Sequence, residues 1–283
     1  MDMENNHPVN IYIVSDSVGG TANSLGKAAM SQFPSANIKL HGYPFIRGED
    51  TLLSILEKAV AEDAMVLHTL VSDDLTKVAQ DYCSKHDIYC VDLLSPIIRE
   101  IQKRSGVQPA NKPGALHEMD ETYFDRIRAI EFAVMYDDGR DPKGFLEADI
   151  ILLGISRTSK TPLSMFLANL NYKVANLPLV PESHIPEELW QVDPKKIVGL
   201  TNNLDMINSI RQERMISYGL NPETPYSNKE RIERELKFSN DLYEKLGCLV
   251  INVEKRSIEE TAAIIVSTLK LDKKKLNHLE EYN

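Results

Sequence analysis

Ala148-Asp149-Ile150-Ile151-Leu152-Leu153-Gly154-Ile155-Ser156-Arg157-Thr158-Ser159-Lys160-Thr161 is the stretch on which the fold turns. An apolar, β-branched run enters a glycine, and a helical pattern begins at Lys160. That order is strand, loop, helix, the context in which a chain holds phosphate. The glycine permits a sharp exit from the strand, successive backbone N–H groups can face an anion, and the new helix adds its positive end. Residues Gly154 to Thr161 match G-x-x-x-x-G-K-[ST], with Ser159 in place of the second glycine. Serine can cap a helix but lacks glycine's access to positive φ, so a less tightly wrapped loop is expected. In this reading Gly154, Ile155, Ser156, Arg157, Thr158, Ser159, Lys160 and Thr161 bind the nucleotide. Lys160 meets its terminal phosphates and Thr161 ligates Mg²⁺. The competing reading is an ordinary strand-to-helix turn with capping hydroxyls and a solvated lysine. Pro162 suits the first helical turn either way.

Outward from this stretch, apolar runs alternate with helical periods, the pattern of βα units feeding mainly parallel sheets flanked by helices, an α/β class. Strands are expected at Ile11–Val14, Ile38–Tyr43, Ala64–Leu70, Ile88–Leu93, Asp149–Leu153, Tyr172–Asn176, Ile197–Thr201 and Cys248–Val253. Thr21–Gln32 reads as a helix with Ala22, Leu25, Ala28 and Ala29 on one face. Asp50 is expected to cap a helix carrying Leu53, Leu56 and Val60. Pro96–Ser105, Asp120–Met135, Leu204–Ser217, Lys229–Leu246 and Ile258–Leu271 also read as helices. The stretch 106–114, with two prolines and two glycines, reads as a linker or crossing loop, so domains are expected at 1–108 and 109–283.

The 283 residues are 42% hydrophobic and 26% charged, ordinary for a globular chain. A formal charge of −10 disfavours general attraction to nucleic acid or anionic membranes. No apolar run is long enough to span a bilayer, and Val9–Val14 is too brief for a signal peptide, which points to the cytoplasm. Cys83, Cys90 and Cys248 form neither a zinc nor a disulfide pattern and read as reduced thiols. Lys273–Lys275 reads as a solvated basic run.

Ser15-Asp16-Ser17-Val18-Gly19-Gly20-Thr21-Ala22 also lies between a strand and a helix. It is a second candidate anion loop, with Asp16 as metal ligand or proton acceptor. Taken alone, a glycine-rich βα turn is common architecture. Asp137, Asp138 and Asp141 surround a turn glycine, where carboxylates can bind Mg²⁺ or act as a base; most such turns are merely solvated. Arg211 and Arg214 lie three apart on a helix and could reach phosphates together.

From Gly154 to Ser164 the sequence resembles the bacterial and plastid pyruvate, phosphate dikinase regulatory proteins. The likeness extends through Ser15–Ala22, Tyr136-Asp137-Asp138-Gly139 with Asp141-Pro142, Asn176–Pro181, Asp193–Thr201, Ile210–Arg214 and Ser257–Ala262. The resemblance implies a Rossmann-like N-terminal half and a P-loop kinase-like C-terminal half. It implies a bifunctional enzyme that transfers phosphate from ADP to a threonine of the dikinase, inactivating it. The reverse duty removes that phosphate with inorganic phosphate, giving pyrophosphate and active dikinase. Lys160, Asp138 and Asp16 are the catalytic candidates, and ADP, inorganic phosphate and Mg²⁺ the implied small molecules. A sister branch acting on phosphoenolpyruvate synthase tends to have glycine where Ser159 stands, so Ser159 favours the dikinase as partner. A kinase of a small metabolite and a nucleotide-sensing binding protein remain the rival readings. The sequence is compatible with a homodimer without deciding it. The long loop Pro178–Pro194, with Trp190, is the candidate partner-facing element.

Overall fold

In the computed structural model, residues 8–117 and 121–271 are described, and the chain divides into two units, residues 1–118 and 119–283. Strand and helix alternate in the first: β1 (Val9–Ser15), α1 (Gly20–Met30), β2 (Ile38–Tyr43), α2 (Glu49–Ala61), β3 (Met65–Thr69), α3 (Asp73–Lys85), β4 (Cys90–Asp92) and α4 (Ser95–Ser105). All pairings are parallel in the order β2-β1-β3-β4, with Ile11 opposite Leu40 on one side and Met65 on the other. Tyr12 and Val14 pack with Leu52, Leu56 and Ala79, while Ile11 and Ile13 pack with Ala22. Both faces of β1 are thereby covered, as a parallel sheet requires.

Three helix expectations need correction. On α1 only Ala22 and Gly26 are buried; Leu25 is exposed, as are Ala28 and Ala29. On α2 the buried face is Leu52, Ile55, Leu56 and Ala59, with Val60 exposed. Asp50 lies inside the first turn, and Gly48 occupies the cap position. The carboxylates of Glu49 and Asp50 there complement the helix's positive end rather than capping it. Helix α3 escapes a reading by periodicity, because its buried residues Thr76, Ala79 and Cys83 are small or polar and give no apolar stripe.

The second unit contains α5 (Glu121–Met135), the short α6 (Gly144–Glu147), β5 (Ile150–Gly154), α7 (Lys160–Asn169), β6 (Val174–Pro178), β7 (Ile197–Thr201), α8 (Leu204–Ser217), α9 (Lys229–Leu246), β8 (Leu249–Asn252) and α10 (Ile258–Leu269). Its sheet runs β6-β5-β7-β8, again all parallel, the same connectivity as the first. All five residues of β5 are buried. Ile151 and Leu153 belong to a core with Phe145, Leu177 and Tyr243, whereas Ile150 and Leu152 face Leu163, Leu167 and Ile265. A strand with two apolar faces must be apolar at every position, and each such aliphatic side chain contributes roughly 1.5–3 kcal/mol on burial.

In both sheets the first strand sends its connection one way and the third strand the other. The crevice between them, at the carboxyl ends of the strands, is where open α/β sheets take ligands. In the second unit that is the end of β5, Gly154, beside the end of β7. No helix of the described residues is long and apolar enough to cross a membrane. The three cysteines are free, Cys83 buried and the others half-buried. Lys273–Lys275 lie outside the described residues.

Candidate active site

The loop between β5 and α7 is built by close approach. A side chain at Gly154 would bring a Cβ to 2.5 Å from the Thr158 hydroxyl and 3.1 Å from the Leu200 carbonyl, so only glycine fits. Thr158, wholly buried, turns its hydroxyl back to donate to the Ile155 carbonyl at 2.9 Å. Ser159 precedes the helix with φ 61° and ψ 23° and makes no side-chain cap. The loop therefore keeps the left-handed backbone of a glycine at a serine, contrary to the looser wrapping expected, and so holds strain of order 1–3 kcal/mol. Arg157 is left-handed too, at φ 76°. Left-handed residues interspersed in a turn are the backbone pattern from which anion nests are built.

Lys160, at the start of α7, is 6% exposed, and its ammonium donates to the Ile155 carbonyl at 3.1 Å. Burial pushes its pKa down from 10.5 to about 8; the charges of Asp138 and Asp137 oppose this, and those of Arg157 and Arg211 reinforce it. A cation so short of solvent and so close to neutrality gains strongly from an arriving anion. Thr161 donates its hydroxyl to Asp137, 3.1 Å to Oδ1. Asp137 also accepts from the Asn176 amide, whose carbonyl oxygen in turn accepts the Asp138 N–H at 3.0 Å. Wholly buried Asn176 on β6 thus staples the 137–139 turn to the sheet. Asp138 itself is exposed, with φ 53°. Asp141 is exposed as well, and its carboxylate accepts the Lys143 N–H at 3.0 Å.

Lys160, Thr161, Asp137 and Asp138 thus come together within one unit. Arg211 and Arg214 part company. Arg211 is wholly buried, pairs with Glu235 at 2.6 Å and donates to the Ser156 carbonyl at 3.2 Å. Arg214 is exposed, with its guanidinium 4.5 Å from the Tyr218 ring centroid. Residues three apart point to different sides of the helix packing here, so the two guanidinium groups do not face one phosphate together. Tyr226, from the 3-10 turn Pro225–Ser227, is a residue that sequence reasoning misses; its hydroxyl lies 2.8 Å from the Ser156 hydroxyl and accepts from Arg157 Nε at 3.0 Å. Neither Tyr226 nor Asn176 carries a local spacing signal, since their partners are 70 and 39 residues away.

Asp16 belongs to the first unit. It is 1% exposed, Oδ2 accepts from Val71 N at 2.7 Å and Ser72 N at 3.4 Å, and Oδ1 is buried without a partner. The Ser15–Thr21 loop opens onto a cavity of about 440 Å³ walled in part by Leu94, Ile98 and Ile101. Gly19 takes the left-handed conformation before α1 that Ser159 takes before α7.

Comparison with known proteins meets this geometry from outside. The model of the family described as Kinase/pyrophosphorylase matches residues 11–266, which takes in both sheets and both loops. The chain belongs to that family. Kinase/pyrophosphorylase relatives are close across its length. A protein of Latilactobacillus sakei is 54% identical over 270 residues, covering 95% of this chain and 96% of its own. One from Enterococcus faecalis is 54% identical over 262 residues, covering 93% and 95%. A third, from Lactobacillus helveticus, is 54% identical over 265 residues with the same coverage. All three are assigned by name as pyruvate, phosphate dikinase regulatory proteins.

Proposed function

We propose that this chain regulates pyruvate, phosphate dikinase in the cytoplasm by reversible threonine phosphorylation, with ADP as donor and inorganic phosphate as acceptor in reverse. One observation carries the reading: a buried lysine on a strained loop, within charge range of two aspartates, one of them exposed. Forward, the target threonine Oγ attacks the β-phosphorus of ADP, the bond to the bridging oxygen breaks, AMP departs, and Asp138 takes the hydroxyl proton. In reverse, an oxygen of inorganic phosphate attacks the phosphothreonine phosphorus. Pyrophosphate forms, and Asp138 relays the proton given up by the attacking phosphate to the departing threonine oxygen. Lys160, with the N–H groups of residues 155–161, holds the charge that develops on the transferred group.

The hydroxyl of Thr161 beside the Asp137 carboxylate is a donor set that suits Mg²⁺, which is held by one or two protein oxygens plus substrate phosphates. When bound, the ion neutralises phosphate charge. The Ser15–Ala22 loop is a second anion site in the same proposal, with Asp16 bracing it through the backbone of Val71 and Ser72.

The test is incubation with histidine-phosphorylated dikinase and ADP, in parallel with ATP, followed by mapping of phosphothreonine. ADP-dependent labelling with loss of dikinase activity supports the proposal. Labelling of phosphoenolpyruvate synthase instead moves the target to that enzyme, and transfer to a free metabolite makes the chain a small-molecule kinase.

A further inference from the structure

A phosphate loop with two non-glycine residues in left-handed backbone, Arg157 and Ser159, needs something to hold it in that shape. The structure supplies a brace behind the loop, made from α8, the Pro225–Ser227 turn and α9. Arg211 is its centre. It donates to the Tyr226 carbonyl at 2.9 Å, to the Ser156 carbonyl at 3.2 Å and to Glu235 at 2.6 Å, and its guanidinium lies 4.6 Å from the Tyr226 ring centroid. Glu235 is further held by Arg231 Nε at 3.1 Å. With its charge matched by a buried carboxylate, Arg211 serves as scaffold and not as a phosphate ligand.

Arg157 is different. Among the described residues it enters no ion pair. Its Nε donates to the Tyr226 hydroxyl, which leaves the two terminal nitrogens of the guanidinium to serve a ligand. The same hydroxyl meets the Ser156 side chain, so one oxygen ties two adjacent loop residues to a buried platform. We propose that Tyr226 is a positioning residue: it aims Arg157 and fixes the Ser156–Arg157 backbone so that the loop meets a terminal phosphate preformed, with Arg211 and Glu235 holding Tyr226 in turn. The inference rests on the loop being the phosphate site.

Tyr226→Phe keeps the ring and its stacking on Arg211 and removes only the oxygen. ADP and, separately, inorganic phosphate are titrated calorimetrically against the full-length wild type, Tyr226→Phe, Arg157→Ala and the double variant. A charge-assisted hydrogen bond is worth enough that Tyr226→Phe is expected to weaken ADP binding about tenfold, with the unfolding temperature unmoved. Because Tyr226 acts through Arg157, the double variant binds within about twofold of Arg157→Ala, not at the product of the two losses. Unchanged affinity in Tyr226→Phe, or losses that multiply, overturns the positioning role. Should Tyr226→Phe fail to fold, Tyr226→Met, which also lacks the hydroxyl, replaces it in the cycle and is held to the same two outcomes. A wild type that binds neither ADP nor phosphate defeats the phosphate-site reading itself, a result distinct from either.

Discussion

Replacing Lys160 by methionine should stabilise the second unit while abolishing its use of phosphate. The pKa of the ammonium falls from 10.5 to about 8 because burial strips its water. At about 1.36 kcal/mol for each pH unit between those two values, the buried charge costs roughly 3 kcal/mol at neutral pH. The direction follows from proton counting. Between pH 8 and 10.5 the unfolded chain keeps a proton that the folded chain has released, so this group's contribution to stability rises with pH across that window. Below pH 8 the cost is present in full. Methionine keeps the buried stem without the charge; it gives up one hydrogen bond to Ile155, worth about 1 kcal/mol, and Thr158 still satisfies that carbonyl. The expected gain at pH 7 is therefore about 2 kcal/mol, shrinking to nothing or slightly reversing by about pH 10. Urea unfolding followed by the fluorescence of Trp190, the chain's only tryptophan, reads this in phosphate-free buffer at both pH values. Adding ADP at about 100 times its dissociation constant should raise wild-type stability by about 2.7 kcal/mol and leave the variant unmoved. A wild type and variant separated by the same amount at pH 7 and pH 10 would refute the idea that Lys160 is a buried, destabilised cation.

Two further substitutions probe the same site. Asp138→Asn should lower the rate of transfer by about a hundredfold or more while changing ADP affinity by less than about threefold, as befits a base rather than a binding group. Steady-state transfer assays beside calorimetry separate the two; unchanged transfer would return Asp138 to a merely solvated turn, and equal losses in both would make it a binding group. Ser159→Gly relieves left-handed strain but frees the unfolded chain, so a net gain of about 0.5–1 kcal/mol is expected with ADP affinity preserved. A loss of stability measured by thermal unfolding would show that the serine side chain holds the loop.

What is legible in the sequence depends on whether the deciding contacts are local. The β5–loop–α7 unit can be read because its signals lie within one stretch: an unbroken apolar run, a glycine where no Cβ fits, and a helix that starts at Lys160. The same applies to α8 and α9, whose ends at Leu204, Ser217, Lys229 and Leu246 coincide with those read from periodicity. The buried faces of α1 and α2 differ from those expected because alanines and leucines flank both sides of those helices, and only the sheet decides which side turns inward. Arg211 and Arg214 look like a pair when spacing on one helix is the only information. The inward turn of Arg211 is set by Glu235, 24 residues away on another helix. Ser159 shows a different limit. Its left-handed backbone contradicts its own preference and is imposed by Gly154, Thr158 and the start of α7 around it.

Read alone, the sequence leaves open whether Gly154–Thr161 is an ordinary strand-to-helix turn. Energetics weigh against that. A turn with only a structural duty leaves its lysine in water, which lowers the free energy of the fold. Here two non-glycine residues sit at φ 76° and 61°, and an ammonium is buried to 6% exposure with a backbone carbonyl as its hydrogen-bond partner. These terms together oppose folding by several kcal/mol, on the order of the stability of a whole domain. Five buried residues of β5 and the Arg211–Glu235–Tyr226 brace offset them. A desolvated charge on a left-handed loop, at the crevice where this sheet order takes ligands, suits the anion site proposed above, since an arriving phosphate would offset the cost of the buried ammonium.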